Sequence, residues 1–218
     1  MNFTERLRTT QQTKNSLLCI GLDVDPAQIP EHLQKTQNPV LEFCREIVSS
    51  TFEFSCAYKS NLAFFESLGL DGWRTLYEVR KLIPSNVVCI ADGKRGDIGN
   101  SSARYVKALF DDFGFDAATV NPYMGYDSLE PFLNYKDKGV FILALTSNPD
   151  SANFQRRIVD GHPLFEEVIN EFASKDKHHN TGFVVGATHP NDLKRVRSLA
   201  PDAPLLIPGV GAQGGDLR

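Results

Sequence analysis

Short apolar runs recur along the chain with amphipathic segments between them, and this alternation limits the available folds more than any other feature. The runs lie at 17–22, 54–58, 87–91, 117–120, 140–145, 183–187 and 205–208, and helical patterns lie at 40–50, 71–83, 101–113, 164–174 and 191–199. Val87-Val88-Cys89-Ile90-Ala91 is apolar throughout, as a parallel strand covered on both faces must be. Asn38-Pro39 reads as an N-cap followed by Pro at the first helical turn. Trp73, Leu76 and Tyr77 fall at helical spacing, with Arg80 and Lys81 near the end of that segment, where cations oppose the helix dipole. Strand alternating with helix implies an α/β fold with a parallel sheet, either open and doubly wound or closed as a barrel.

The polar residues favour closure. Asp23, Lys59, Asp92, Asn121, Thr146, Thr188 and the glycine-rich loop at Gly209 each follow a different apolar run. In a barrel those strand ends share one mouth, whereas an open sheet spreads them along an edge with about 4.8 Å between strands. We therefore expect residues 1–218 to form a single (β/α) barrel domain, an ordinary length for that architecture. Segment 146–162 carries Asn148, Pro149, Asp150, Ser151 and Gly161 and reads as a long functional loop.

Composition narrows the class. The formal charge is −4 and there is no Lys/Arg block, which argues against nucleic acid as a partner. An anionic substrate then needs local cations. The four cysteines, Cys19, Cys44, Cys56 and Cys89, form no Cys-x-x-Cys pair and have no His at ligand spacing. They read as reduced, buried thiols of a protein in a reducing compartment. No run approaches the roughly 18 apolar residues of a membrane span. Asn2-Phe3-Thr4-Glu5 looks like a capped helix start, with Phe3 and Leu7 on one face, so a cytoplasmic location is expected.

The chemistry concentrates at Ala91-Asp92-Gly93-Lys94-Arg95-Gly96-Asp97-Ile98. Asp92 and Lys94 point to the same side for as long as the strand continues, and Asp97 follows Gly96, where the chain can turn. A lysine held between carboxylates stays protonated until a reaction consumes its proton. No His/Asp/Glu spacing indicates a catalytic metal.

The pattern Asp92-x-Lys94-x-x-Asp97-Ile98, followed by Gly99-Asn100-Ser101, resembles the orotidine 5′-phosphate decarboxylase family, in its longer bacterial-type branch. Three further segments match in order: Gly21-Leu22-Asp23-Val24-Asp25-Pro26, Tyr58-Lys59-Ser60-Asn61 with Leu62-Ala63-Phe64-Phe65-Glu66, and Pro208-Gly209-Val210-Gly211-Ala212-Gln213-Gly214-Gly215-Asp216. The resemblance implies a (β/α)8 TIM barrel and a cofactor-free, metal-free lyase. Its reaction converts orotidine 5′-monophosphate to uridine 5′-monophosphate and CO2, the last step of pyrimidine nucleotide synthesis. By the same resemblance Lys94 donates the proton, and Asp92 holds Lys94 and crowds the substrate carboxylate. Lys59 completes a Lys-Asp-Lys-Asp array with Asp97. Asp97 reaches into the site of a second subunit, accompanied by Ile98 and Ser101, so a homodimer is expected. The alternative that Asp97 caps the following helix stays open.

The remaining roles are also implied by resemblance. Asp23 contacts the ribose hydroxyls, Ser147 the pyrimidine edge, and Pro208 lines the base pocket. Gly211, Gln213 and Gly214 take the phosphate, a use that main-chain amides of a glycine-rich turn before a helix can serve. The family's eighth strand, final helix and phosphate-gripping Arg have no counterpart before residue 218, so we expect a chain that stops short of them. Two rivals remain: a magnesium-dependent sugar-phosphate decarboxylase of the same superfamily, such as the 3-keto-gulonate 6-phosphate enzymes, and a non-catalytic remnant. The former carries an acidic residue where this chain has Lys59.

Overall fold

The computed structural model describes residues 1–187 and 190–210. Its strands, numbered in chain order, are β1 (Cys19–Gly21), β2 (Ala57–Asn61), β3 (Val88–Arg95), β4 (Ala117–Val120), β5 (Gly139–Leu145), β6 (Ile158–Val159), β7 (His162–Pro163), β8 (Thr181–Val185) and β9 (Leu205–Leu206). β6 and β7 make an antiparallel hairpin, and the other strands form one sheet in the order β1-β2-β3-β4-β5-β8-β9. The registers are parallel, with Gly21 opposite Lys59, Asn61 opposite Asp92, Ile142 opposite Phe183 and Val184 opposite Leu206. Parallel neighbours require crossover connections. These are supplied by α2 (Glu31–Gln34), α3 (Pro39–Thr51), α4 (Leu62–Glu66), α5 (Gly69–Leu82), α6 (Gly99–Val106), α7 (Tyr126–Leu133), α8 (Leu164–Ser174) and α9 (Pro190–Leu199), after the N-terminal α1 (Phe3–Lys14).

The chain divides into two compact units, Met1 with Glu5–Gly93 and Lys107–Ala118, and Asn2–Thr4 with Lys94–Val106 and Thr119 onward. In the first, Asn38 caps α3 by accepting the Leu41 amide at 3.1 Å and donates to the Thr75 hydroxyl of α5 at 2.8 Å. Cys44 and Val48 of α3 and Leu76 and Val79 of α5 are buried. Tyr58 of β2 is wholly enclosed, with its hydroxyl 2.7 Å from that of Thr51, so the ring is buried without an orphaned polar tip. Trp73 and Tyr77 pack on Phe113, with ring centroids 5.7 and 6.0 Å away. Asp116, 4% exposed, accepts the Cys89 amide at 2.9 Å and pairs with Arg6 at 2.8 Å and Arg80 at 3.7 Å.

The second unit buries Leu129 and Phe132 of α7, Ile142 and Leu145 of β5, Phe165 and Ile169 of α8, Phe183 and Val185 of β8, and Val196 of α9. Arg195 of α9 grips Glu166 of α8 with two bonds, 2.9 and 2.6 Å long, and the hydrogen bond from Arg195 holds that carboxyl below its ordinary range. Arg156 reaches Asp192 in the first turn of α9 at 2.6 Å.

Several boundaries differ from the sequence reading. β1 omits Leu17 and Leu18 and β2 omits Phe54, all three of which are exposed, because apolar character alone does not mark where ladder bonds begin. β3 extends through Asp92 and Lys94 to Arg95. The helix expected at 101–113 begins at Gly99, and Lys107–Asp112 winds as π-helix. The expected loop at 146–162 contains a 3₁₀ turn, Pro149–Asn153, and the β6–β7 hairpin. Four-residue α2, five-residue α4 and α7, with Pro131 inside it, were not expected.

All four cysteines are free, and Cys44, Cys56 and Cys89 are buried. Burial pushes the Cys19 and Cys44 thiols up to about 12 and raises Cys56 and Cys89 as well. Among the described residues, no helix is long and apolar enough to cross a membrane.

Removing the Asp116 carboxylate leaves the Cys89 amide and two guanidinium groups without their shared acceptor. Breaking such a pair costs about 3–5 kcal/mol, and the partial exposure of Arg6 places Asp116→Ala at the lower end. Urea unfolding measures the loss, and a change below about 1 kcal/mol contradicts a structural role for this cluster.

Candidate active site

The ends of the first strands carry three charged side chains in one cluster. Lys59 lies in β2 opposite Ile90, one pleat before the Asn61–Asp92 pair, so its side chain runs diagonally toward Asp92 on the neighbouring strand. Its Nζ is 3.0 Å from Asp92 Oδ2 and 3.4 Å from Asp23 Oδ2. Asp23 follows β1, where Leu22 donates to the Lys59 carbonyl at 2.9 Å, and its Oδ1 also accepts the Asn61 amide at 3.2 Å. Asp92 is 8% exposed. Burial pulls the Lys59 ammonium down, but the charges of Asp92 and Asp23 and the bond to Asp92 outweigh it, and the net pKa stands above 10.5. A permanently charged ammonium thus sits close to two carboxylates at the end of the sheet.

In the second unit, Lys94 departs from strand geometry, with φ +47°, the left-handed region. For a lysine this costs roughly 1–2 kcal/mol, so neighbours must hold it. The same-side placement of Asp92 and Lys94 was conditional on extended backbone, and the positive φ at Lys94 departs from that condition. The Lys94 amide donates to the buried Thr119 hydroxyl of β4 at 3.0 Å, and Asn121 donates its amide to the Arg95 carbonyl at 2.8 Å. A Cβ at Gly96 would stand 2.7 Å from the Asn121 carbonyl oxygen, so only glycine fits. Asp97 Oδ1 accepts the Ile98 amide at 2.8 Å. Ile98 is exposed, and Ser101 lies exposed in the first turn of α6.

Ser147 follows β5, where β8 comes so close that a Cβ on Gly186 would meet the Ser147 backbone and Cβ at 2.9 Å. The preceding Thr146 is held by Gln155, whose Oε1 accepts the Thr146 amide at 2.8 Å and whose Nε2 donates to its hydroxyl at 2.9 Å. The Thr146 hydroxyl in turn donates to Asn148 at 2.7 Å. Pro208 accepts the Ala187 amide at 2.9 Å beside Gly209, whose φ of +104° calls for glycine. Gly211, Gln213 and Gly214 lie outside the described residues.

Gln155 and Thr119 were missed by sequence reasoning. Gln155 sits in a segment read as loop, with no motif around it, and Thr119 reads as an ordinary β-branched strand residue. Among the described residues, no group of three or more His, Cys, Asp or Glu side chains is placed to hold a metal ion.

The profile of the orotidine 5′-phosphate decarboxylase / HUMPS family matches residues 16–218. The orotidine 5′-phosphate decarboxylase of Dehalococcoides mccartyi is 49% identical, over 100% of this chain and 80% of its own. That of Herpetosiphon aurantiacus is 45% identical, over 99% of this chain and 82% of its own. The solved structure of Leishmania donovani OMP decarboxylase superposes with a TM-score of 0.87 at 40% identity, covering 96% of this chain and 80% of that one. The fold class is that of these decarboxylases, the α/β TIM barrel, to which the described residues contribute seven parallel strands.

Because the folded pKa of Lys59 lies above its unfolded value, its stabilising contribution is full below 10.5 and is lost as pH rises through the folded value. The difference in unfolding free energy between the native chain and Lys59→Met should thus be flat near neutrality and shrink only above about pH 10.5. A difference that collapses between about pH 6 and 8 contradicts the charge assignment.

Proposed function

As the chain belongs to the orotidine 5′-phosphate decarboxylase / HUMPS family, we infer that it is a carboxy-lyase converting orotidine 5′-monophosphate to uridine 5′-monophosphate and CO2 in pyrimidine biosynthesis. The observation that carries this reading within the family is Lys59, a cation seated between Asp23 and Asp92. A magnesium-dependent sugar-phosphate decarboxylase would place an acidic residue there to face a metal, so the alternative is not favoured. Residues 1–218 act as a single barrel domain in this reading.

Decarboxylation breaks the bond between the ring and its carboxylate, and the electron pair stays on the ring carbon. With no electron sink, the protein must set positive charge against that carbon and then protonate it. Lys94 does both: its ammonium faces the developing carbanion and gives up a proton, which solvent later restores. Asp92 holds Lys94 and crowds the departing carboxylate, and Lys59 and Asp97 complete the alternating array. Asp23 takes the ribose hydroxyls, as a carboxylate anchored by Lys59 and the Asn61 amide is well placed to do. Ser147, on the loop organised by Gln155, reads the pyrimidine edge, and Pro208 lines the base pocket. Gly211, Gln213 and Gly214 receive the phosphate. Binding at that remote group contributes to the barrier reduction at the ring. The chemistry calls for no cofactor or metal.

A homodimer completes the site. Ile98, Tyr123 and Met124, on the segments after β3 and β4, are 65%, 85% and 48% exposed. Large apolar side chains left uncovered on the segments that follow β3 and β4 fit a surface closed by a second copy, into whose site Asp97, Ile98 and Ser101 reach. The free, buried cysteines agree with a cytoplasmic setting.

The loss of the orotate chromophore in the ultraviolet follows turnover directly. Lys94→Ala should lower kcat/KM by at least about 10²–10⁴-fold, the usual worth of a positioned general acid, and EDTA should leave the native rate unchanged. Equal turnover by the two chains would remove the proton-donor assignment, and inhibition by EDTA would favour the metal-dependent rival. Mixed Lys94→Ala and Asp97→Ala chains should recover activity through heterodimers with one native site. Their silence after demonstrated subunit exchange would rule out sharing.

A further inference from the structure

The left-handed backbone at Lys94 raises the question of what holds it. Within a parallel ladder an amide is met by a main-chain carbonyl, but the amide of Lys94, whose φ is +47°, is met by a side chain. That side chain is Thr119, 1% exposed, its Oγ1 3.0 Å from the amide nitrogen. The two following residues are fixed from the same strand end. Arg95 is held through its carbonyl by the Asn121 amide at 2.8 Å, and Gly96 by the approach of the Asn121 carbonyl. A strained conformation persists only where its surroundings over-determine it, and here the hydroxyl supplies the contact at the strained residue itself.

We infer that Thr119 is a positioning residue for the decarboxylation, setting the backbone of Lys94 and through it the direction in which the ammonium is presented. This rests on Lys94 being the proton donor. Thr119 touches no substrate atom in this role. Its hydroxyl acts by keeping the lysine main chain out of the extended conformation that a strand would otherwise impose. Misplacing a reacting group by about 1 Å can cost on the order of 10²-fold in rate, so loss of the hydroxyl should register in kcat.

The test compares Thr119→Val, equal in volume but without an acceptor, with Thr119→Ser, which keeps one. Both are assayed on orotidine 5′-monophosphate with the fold checked by circular dichroism and thermal melting. Thr119→Val should lower kcat by at least about 10-fold with KM within about threefold, because ribose and phosphate contacts are untouched. Thr119→Ser should stay within about threefold of native in both parameters. In a Lys94→Ala background, Thr119→Val should change the residual rate by less than about twofold, since the group it aims is gone. A folded Thr119→Val with native kcat overturns the inference, as does a Thr119→Ser chain no better than Thr119→Val, or an equal loss in both backgrounds. Should the valine chain fail to fold, Thr119→Cys, with a weak sulfur acceptor, takes its place with the same expected loss. Full activity in Lys94→Ala alone would instead fail the donor assignment and leave the effect of Thr119 on kcat to be read separately in the native background.

Discussion

The Lys59 ammonium, half-way along a buried strand and compensated by Asp92 and Asp23, is the constraint from which the rest of the structure follows. Taking a cation out of water is costly, and a buried ion pair rarely repays that cost better than apolar packing would. Here the expense is met with short contacts, the Asn61 amide donated to the Asp23 carboxylate, and a parallel register that sets Asp92 one pleat beyond Lys59 on the neighbouring strand, within reach of its side chain. Such an arrangement is poor as a device for stability alone. It is well suited to keeping a fixed electrostatic field where charge must develop during a reaction.

Much of this was legible in the chain. Asp23, Lys59 and Asp92 each close an apolar run, and parallel strands bring consecutive run ends together, so the cluster follows from the pattern once the sheet is granted. The helices with strong caps or clean periodicity, α3 and α8, lie close to where the pattern puts them. The rest was hidden for physical reasons. Leu17, Leu18 and Phe54 are apolar without being in strands, because what ends a strand is the ladder partner and not the side chain. α2 and α4 are too short to show a period.

The least legible features concern the backbone. Nothing in a lysine announces a positive φ, and Gly93 and Gly96 close by draw attention away from it. The acceptor that holds the turn is distant in sequence, in a four-residue strand whose composition is that of any buried strand. Gln155 is equally silent, since its effect on Thr146 depends on the loop folding back across nine residues. Motifs identify groups that do chemistry; the groups that aim them are found only when contacts are known.

The thiols have a practical side. All four native sulfurs are protonated at neutral pH, and three are sealed in the interior, so alkylating reagents meet little competition from them. A cysteine introduced on the exposed hairpin at Ile158 would then be the dominant point of attachment for a fluorophore, without first stripping the natural ones. The environment of the segment between β5 and α8 becomes open to optical recording in an otherwise unaltered protein.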